Sequence, residues 1–243
     1  MKKYLILLLF LLQGAFLQAL PQNALKAGAG VKGAESLSAP LNIVVTLTLL
    51  TLLPAAVMCV TPFLRIAIVL HFLRQALGTQ TAPSNQVLIG LSLFLTLLIM
   101  QPVGQQIYTE AWQPLDEGKL TTWQAFDKGS EPLRTFLLRF AREKDIQLFL
   151  EITHTPSPKT AQDLELRILI PAYILSELKV SFQIGAVLFL PFLIIDLVVA
   201  SVTLSIGMMQ LPPVMLSAPF KILLFVLVDG WNLVVGSLVK SFY

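Results

Sequence analysis

The sequence is poor in the side chains that metal, redox and hydrolytic chemistry use. It has one cysteine, Cys59, which excludes an intrachain disulfide and a cysteine-based zinc site. Cys59 lies in an apolar run and reads as a small hydrophobe. The two histidines, His71 and His154, are far apart, and no His-Glu-x-x-His motif is present. His154, within ITHTPSP, reads as a loop residue rather than a ligand. A Gly-x-Ser-x-Gly elbow and a phosphate-binding Gly-Lys-Ser/Thr loop are also missing. No catalytic residue, cofactor or metal site is expected. Charge is scarce as well: Asp, Glu, Lys and Arg make up 13% of the 243 residues, against about 25% in a soluble domain. The formal charge of +3 contains no basic run longer than Lys2-Lys3, so it does not point to nucleic acid.

What fills the sequence is hydrocarbon. Hydrophobic residues make up 56% of the chain, and the mean hydropathy is +0.78. Most of the charges lie between residues 105 and 185. Outside that block, apolar runs approach the roughly 20 residues that cross a bilayer as a helix. These features predict an all-α integral membrane protein.

The N-terminus has the pattern of a secretory signal. Lys2 and Lys3 precede a short apolar stretch, and GAFLQAL then offers small residues for cleavage after Ala19. Residues 20–40 are small, polar and Gly/Ala-rich, which suits a flexible lead-in. They include Gly28-x-Gly30-x-x-Gly33, a nucleotide-binding spacing that lacks the strand and helix it requires.

Four apolar blocks follow, at 41–73, 87–103, 180–206 and 214–238. The first is too long for one straight span and holds Pro54 and Pro62, so a bend or break is expected. Short connectors at 74–86 and 207–213 pair the blocks into two kinked helical hairpins, 41–107 and 166–243. Between them, 108–165 reads as a charged, amphipathic helical segment. Ser130 is a candidate N-cap there, with Pro132 in the first turn. A cleaved signal followed by four crossings would put this segment on the periplasmic side.

Arg65, Asp196, Lys221 and Asp229 are charges inside apolar runs. Each costs at least about 2.5–3.5 kcal/mol at the bilayer centre unless partnered or hydrated. They fit either the ion pathway of a secondary transporter of a small solute or charge pairs within protein interfaces. Three of them in two adjacent segments favour interfaces. The connector SIGMMQLPPVML is unusual in another way. Gly207 is permissive, Pro212 and Pro213 are stiff, and Met208 and Met209 are soft apolar side chains that a water-facing loop would not need.

Three stretches carry a family resemblance: FLRIAIVLHFLRQALGTQTAPSNQVLIGLSLFLTLLIMQPV (63–103), PAYILSELKVSFQIG (171–185) and LPPVMLSAPFKILLFVLVDGWNLVVGSLVKSF (211–242). They resemble the FliP family of the flagellar type III export apparatus in the bacterial inner membrane, related to the SctR proteins of injectisomes. The resemblance covers nearly everything after residue 40. It implies a subunit of the flagellar basal body, several copies of which assemble with FliQ and FliR into an export gate. FlhB docks alongside, and unfolded flagellar proteins pass through the pore. It implies further that the 207–213 loop lines that pore, with Met208, Met209 and Gln210 as a gasket and Gly207, Pro212 and Pro213 as its hinge. Flagellar members usually carry three successive methionines where this chain has Met208-Met209-Gln210. In a staggered assembly Glu177 of one copy is expected to pair with Lys221 of the next, with Asp196 as the rival partner for Lys221. Such helices need not each cross lipid.

Overall fold

The computed structural model describes residues 39–79, 81–156, 158, 160, 163–207 and 212–243. The expected signal segment, nearly all of the lead-in and the Gly28–Gly33 spacing lie outside the described residues. Among the described residues the regular elements are helices, as composition and periodicity predict.

The chain divides into two compact units, the first ending at Pro54, inside a helix, and the second comprising Ala55–Tyr243. That helix, α1, is Ala39–Cys59 and contains no charged residue. A helix that is apolar all round belongs in lipid or inside protein. The long first apolar block does break, after Cys59, and α2 (Phe63–Ala76) starts immediately after Pro62. Proline lacks the N–H that a continuing helix would need and has φ preset for a new start, so the break falls there rather than at Pro54.

The remaining helices of the second unit are α3 (Asn85–Ile107), α4 (Gln113–Asp116), α5 (Thr122–Phe140), α6 (Glu143–Ile152), α7 (Leu166–Ser205), α8 (Pro213–Leu227) and α9 (Gly230–Lys240). A π-helical turn, Tyr108–Trp112, joins α3 to α4, so that Asn85–Asp116 is one continuous rod of 32 residues. The core forms where α2 lies along α7. Ile66, Val69, Leu70 and Leu73 follow the i, i+3, i+4, i+7 spacing of one helix face and are fully buried. Ile168, Leu169, Ala172 and Tyr173 of α7 are buried likewise. The helices come close at Gly185, where an added Cβ would collide with the Phe72 ring.

Several elements differ from their expectations. Helix α5 begins at Thr122 rather than after Ser130. Thr121 accepts from the Gln124 N–H, and the Gln124 side chain accepts from the Thr121 N–H, a reciprocal cap that satisfies two terminal donors. Pro132 therefore lies inside the helix. Helix α7 has 40 residues and runs unbroken through Pro171 and Pro191. At 1.5 Å per residue it is about 60 Å long, well beyond a bilayer core of about 30 Å. The fourth apolar block, in contrast, breaks: α8 and α9 meet at 65°. Asp229 sits at the corner with φ 51°, and an added Cβ on Gly230 would meet the Phe225 ring.

Two helices, Asn85–Asp116 and α7, are long and apolar enough to cross a membrane. Counting each broken pair, α1 with α2 and α8 with α9, as one span raises the number to four.

Candidate functional site

The charges that interrupt the apolar runs are brought together in pairs. Arg65 projects from the first turn of α2 and meets Glu177 of α7 with a two-pronged contact. Its Nε donates to Glu177 Oε2 at 2.7 Å, and its Nη2 donates to Oε1. Arg65 is 4% exposed and Glu177 is fully buried. The remaining guanidinium nitrogen, Nη1, donates to Ser241 Oγ at 3.0 Å, and the Phe242 ring lies 4.0 Å beneath the guanidinium carbon. Bidentate geometry and a cation–π face give a buried arginine the contacts that water would otherwise supply. The Tyr173 hydroxyl, also buried, has no hydrogen-bond partner among the described residues.

A second pair ties α7 to α8. Lys221 Nζ donates to Asp196 Oδ2 at 2.6 Å, and Ser217 Oγ donates to Asp196 Oδ1 at 2.5 Å. Ser217 and Lys221 are one helical turn apart, so both reach the same carboxylate. Lys221 is buried, while the Asp196 side chain keeps 31% of its exposure. Of the two partners the sequence offers for Lys221, Asp196 is the one it contacts within the chain. The expected pairing of Glu177 with Lys221 is one between copies. Within one copy each holds a different partner.

Asp229 has an exposed side chain at the α8–α9 corner, surrounded by the exposed Val226, Leu227 and Val228. The hinge residues bracket the α7–α8 turn. Gly207 has φ 81°, the left-handed conformation that ends helices, and its N–H donates to Leu204 O at 3.0 Å. Pro212 flanks α8, and Pro213 is its first residue, where a missing N–H costs nothing. Met208, Met209 and Gln210, the expected gasket, lie outside the described residues.

A third polar cluster escaped the sequence reading. Ser176 Oγ lies 2.7 Å from Asp145 Oδ2 and accepts from the Arg142 N–H at 2.9 Å. These contacts lock the α5–α6 corner onto α7. Ser176 and Ser217 are small hydroxyls in apolar helices, and Asp145 is one of many charges in its block. The only sequence signal of the two serines is their proximity to Glu177 and Lys221. Among the described residues no group of His, Cys, Asp and Glu is arranged to hold a metal ion.

Long apolar helices that cross a membrane, with their charges cancelled in buried pairs between helices, define a helical integral membrane protein. Its polar groups cement helix to helix. The chain belongs to the FliP family, whose family model matches residues 46–238. It is 51% identical over 211 residues to the flagellar biosynthetic protein FliP of Pectobacterium carotovorum subsp. carotovorum, covering 87% of this chain and 82% of that one. It is 49% identical over 208 residues to the flagellar biosynthetic protein FliP of Bacillus subtilis (strain 168), covering 86% and 94%. The protein of the same name from Borreliella burgdorferi is 44% identical over 213 residues, covering 86% and 84%.

Proposed function

We propose that this chain is a core subunit of the flagellar protein export gate in the bacterial inner membrane, at the flagellar basal body. The observation that carries this reading is the family match across 46–238, which takes in both buried ion pairs and the α7–α8 turn. Several copies assemble with FliQ and FliR, FlhB docks against them, and unfolded flagellar proteins pass through the centre. The chain performs no chemistry of its own.

The exposed surface supports assembly. Val198 and Val202 of α7 and Val214, Met215 and Phe220 of α8 are all more than half exposed. So much uncovered hydrocarbon on helices already joined by an ion pair is suited to neighbouring subunits. A pore-lining role for Met208 and Met209 belongs to this proposal. Thioether side chains adapt to irregular surfaces, and an apolar constriction excludes ions by staying dry. Contact between Glu177 of one copy and Lys221 of the next belongs to the same proposal. It requires each to exchange its partner within the chain, Arg65 or Asp196, on assembly.

The transporter reading gives Arg65, Asp196 and Lys221 to an ion and a small solute, and within the chain these three are already engaged, Arg65 with Glu177 and Lys221 with Asp196. Deleting the gene tests the proposal directly. Cells without it should secrete no flagellar subunits and build no filament, and the tagged chain should purify within a large membrane complex. Normal secretion in the deletion strain would overturn it.

A further inference from the structure

The Arg65 guanidinium is held from two unrelated directions. Its Nε and Nη2 donate to Glu177 of α7, while Nη1 donates to Ser241 Oγ at 3.0 Å. Its flat face is covered by the Phe242 ring, 4.0 Å from the guanidinium carbon, with the Phe140 ring at 5.6 Å. Ser241 accepts from Arg65 while its own hydroxyl proton goes to Leu238 O at 2.7 Å. Ser241 and Phe242 follow Lys240, the last residue of α9. The pair is therefore closed off on one side by a segment that belongs to neither of the helices carrying it.

That segment, 241–243, has few holds of its own. Its backbone continues the last turn of α9, with the Ser241 N–H bonded to Ser237 O and the Phe242 N–H to Val239 O. Ser241 and Tyr243 are exposed, and Tyr243 O accepts from Arg139 at 2.7 Å on the surface. A hydrogen bond in contact with water is readily exchanged for one to water, so this last bond anchors little. Phe242 is the deep anchor: it is 3% exposed, and its ring lies 5.1 Å from the Phe140 ring. Withdrawal of this one ring uncovers the guanidinium face and, with Ser241, the Nη1 end.

The consequence is electrostatic. Opposite charges attract far more strongly in a dry site than in water. A carboxylate leaving a dry pair strands two buried charges, whereas in a wetted site water replaces each contact as it is lost.

We propose that Phe242, steadied by Ser241, is a withdrawable seal on the Arg65–Glu177 pair. With the ring seated, Glu177 stays with Arg65. With the ring withdrawn, water enters and the carboxylate becomes free to take another cation. The seal is a property of one chain. Only the identity of that other cation, Lys221 of a neighbouring copy, rests on the assembly proposed above.

Thermal unfolding of the full chain in detergent tests the seal, compared at about 0.1 M and about 1 M sodium chloride, where the Debye length is about 10 Å and about 3 Å. A sealed pair is screened little and an open one strongly. Raising the salt should therefore lower the unfolding temperature of Phe242→Ala by about 2–4 °C more than that of the unsubstituted chain. The excess should vanish in Phe242→Ala combined with Arg65→Met and Glu177→Leu, where no pair remains to be screened. Ser241→Ala, a milder change, should show an excess of the same sign, and it decides the matter by the same comparison where Phe242→Ala does not fold. A salt response equal to that of the unsubstituted chain, or an excess that persists without the pair, would overturn the seal and leave Phe242 as ordinary packing. These readings use no secretion assay, so they stand apart from the outcome of the gene deletion.

Discussion

Arg65 Nε lies 2.7 Å from Glu177 Oε2 across 112 residues of sequence, joining the start of α2 to the first third of α7 in a site closed to solvent. Removing one member strands a buried charge, which costs about 3–5 kcal/mol, while replacing both by apolar groups of similar volume is far milder. Arg65→Met and Glu177→Leu should each sharply lower thermal stability in detergent, and the double variant should recover most of it. Additive losses in the double variant would show that the pair is not the source of the effect.

The Lys221 partner can be read from charge reversal. Lys221→Asp should impair accumulation of the complex. If the contact within the chain governs, adding Asp196→Lys restores it. If the exchange on assembly governs, adding Glu177→Lys restores it, and native gels of the membrane complex distinguish the two rescues.

The close approach of α2 and α7 gives a packing prediction. Gly185→Ala puts a methyl into the Phe72 ring, and overpacking a core costs about 1–3 kcal/mol. The free energy of unfolding should fall by that amount, with a lower unfolding temperature, and Phe72→Leu in the same chain should relieve part of it. An unchanged unfolding temperature for Gly185→Ala would mean that the two helices separate easily.

Ser176→Ala removes the bridge between Asp145 and the Arg142 N–H. An unsatisfied buried polar group costs about 1–3 kcal/mol. Proteolysis at the α5–α6 corner should accelerate while the α2–α7 core stays protected. Equal acceleration everywhere would indicate global unfolding instead.

For the proposed gasket, replacing Met208 and Met209 with alanine should leave assembly intact and raise ion conductance through the complex. Gln210→Met should lower it. Unchanged conductance in a correctly assembled double-alanine variant would return the two methionines to ordinary packing.

The sequence by itself determined that the chain is helical and membrane-embedded, because runs of hydrocarbon are local and their solvent preference is additive. It also foresaw a bend or break in the first apolar block, at Pro54 or Pro62, and the turn between α7 and α8, since proline and glycine act on their own backbone; that the break falls at Pro62 was decided by the structure. It placed the start of α5 wrongly, because Ser130 and Pro132 mimic a helix start while Thr121 and Gln124 supply the reciprocal cap. It picked out Arg65, Asp196, Lys221 and Asp229 as charges needing partners and offered Glu177 or Asp196 for Lys221, but only the tertiary structure decided which charge meets which within the chain. Burial makes a charge seek its opposite without saying where in the sequence that opposite lies. The contact of Arg65 with Glu177 arises from the packing of α2 along α7, and no spacing rule reaches across that distance. The α8–α9 corner was likewise decided in three dimensions, where the Phe225 ring occupies the space a side chain at Gly230 would need.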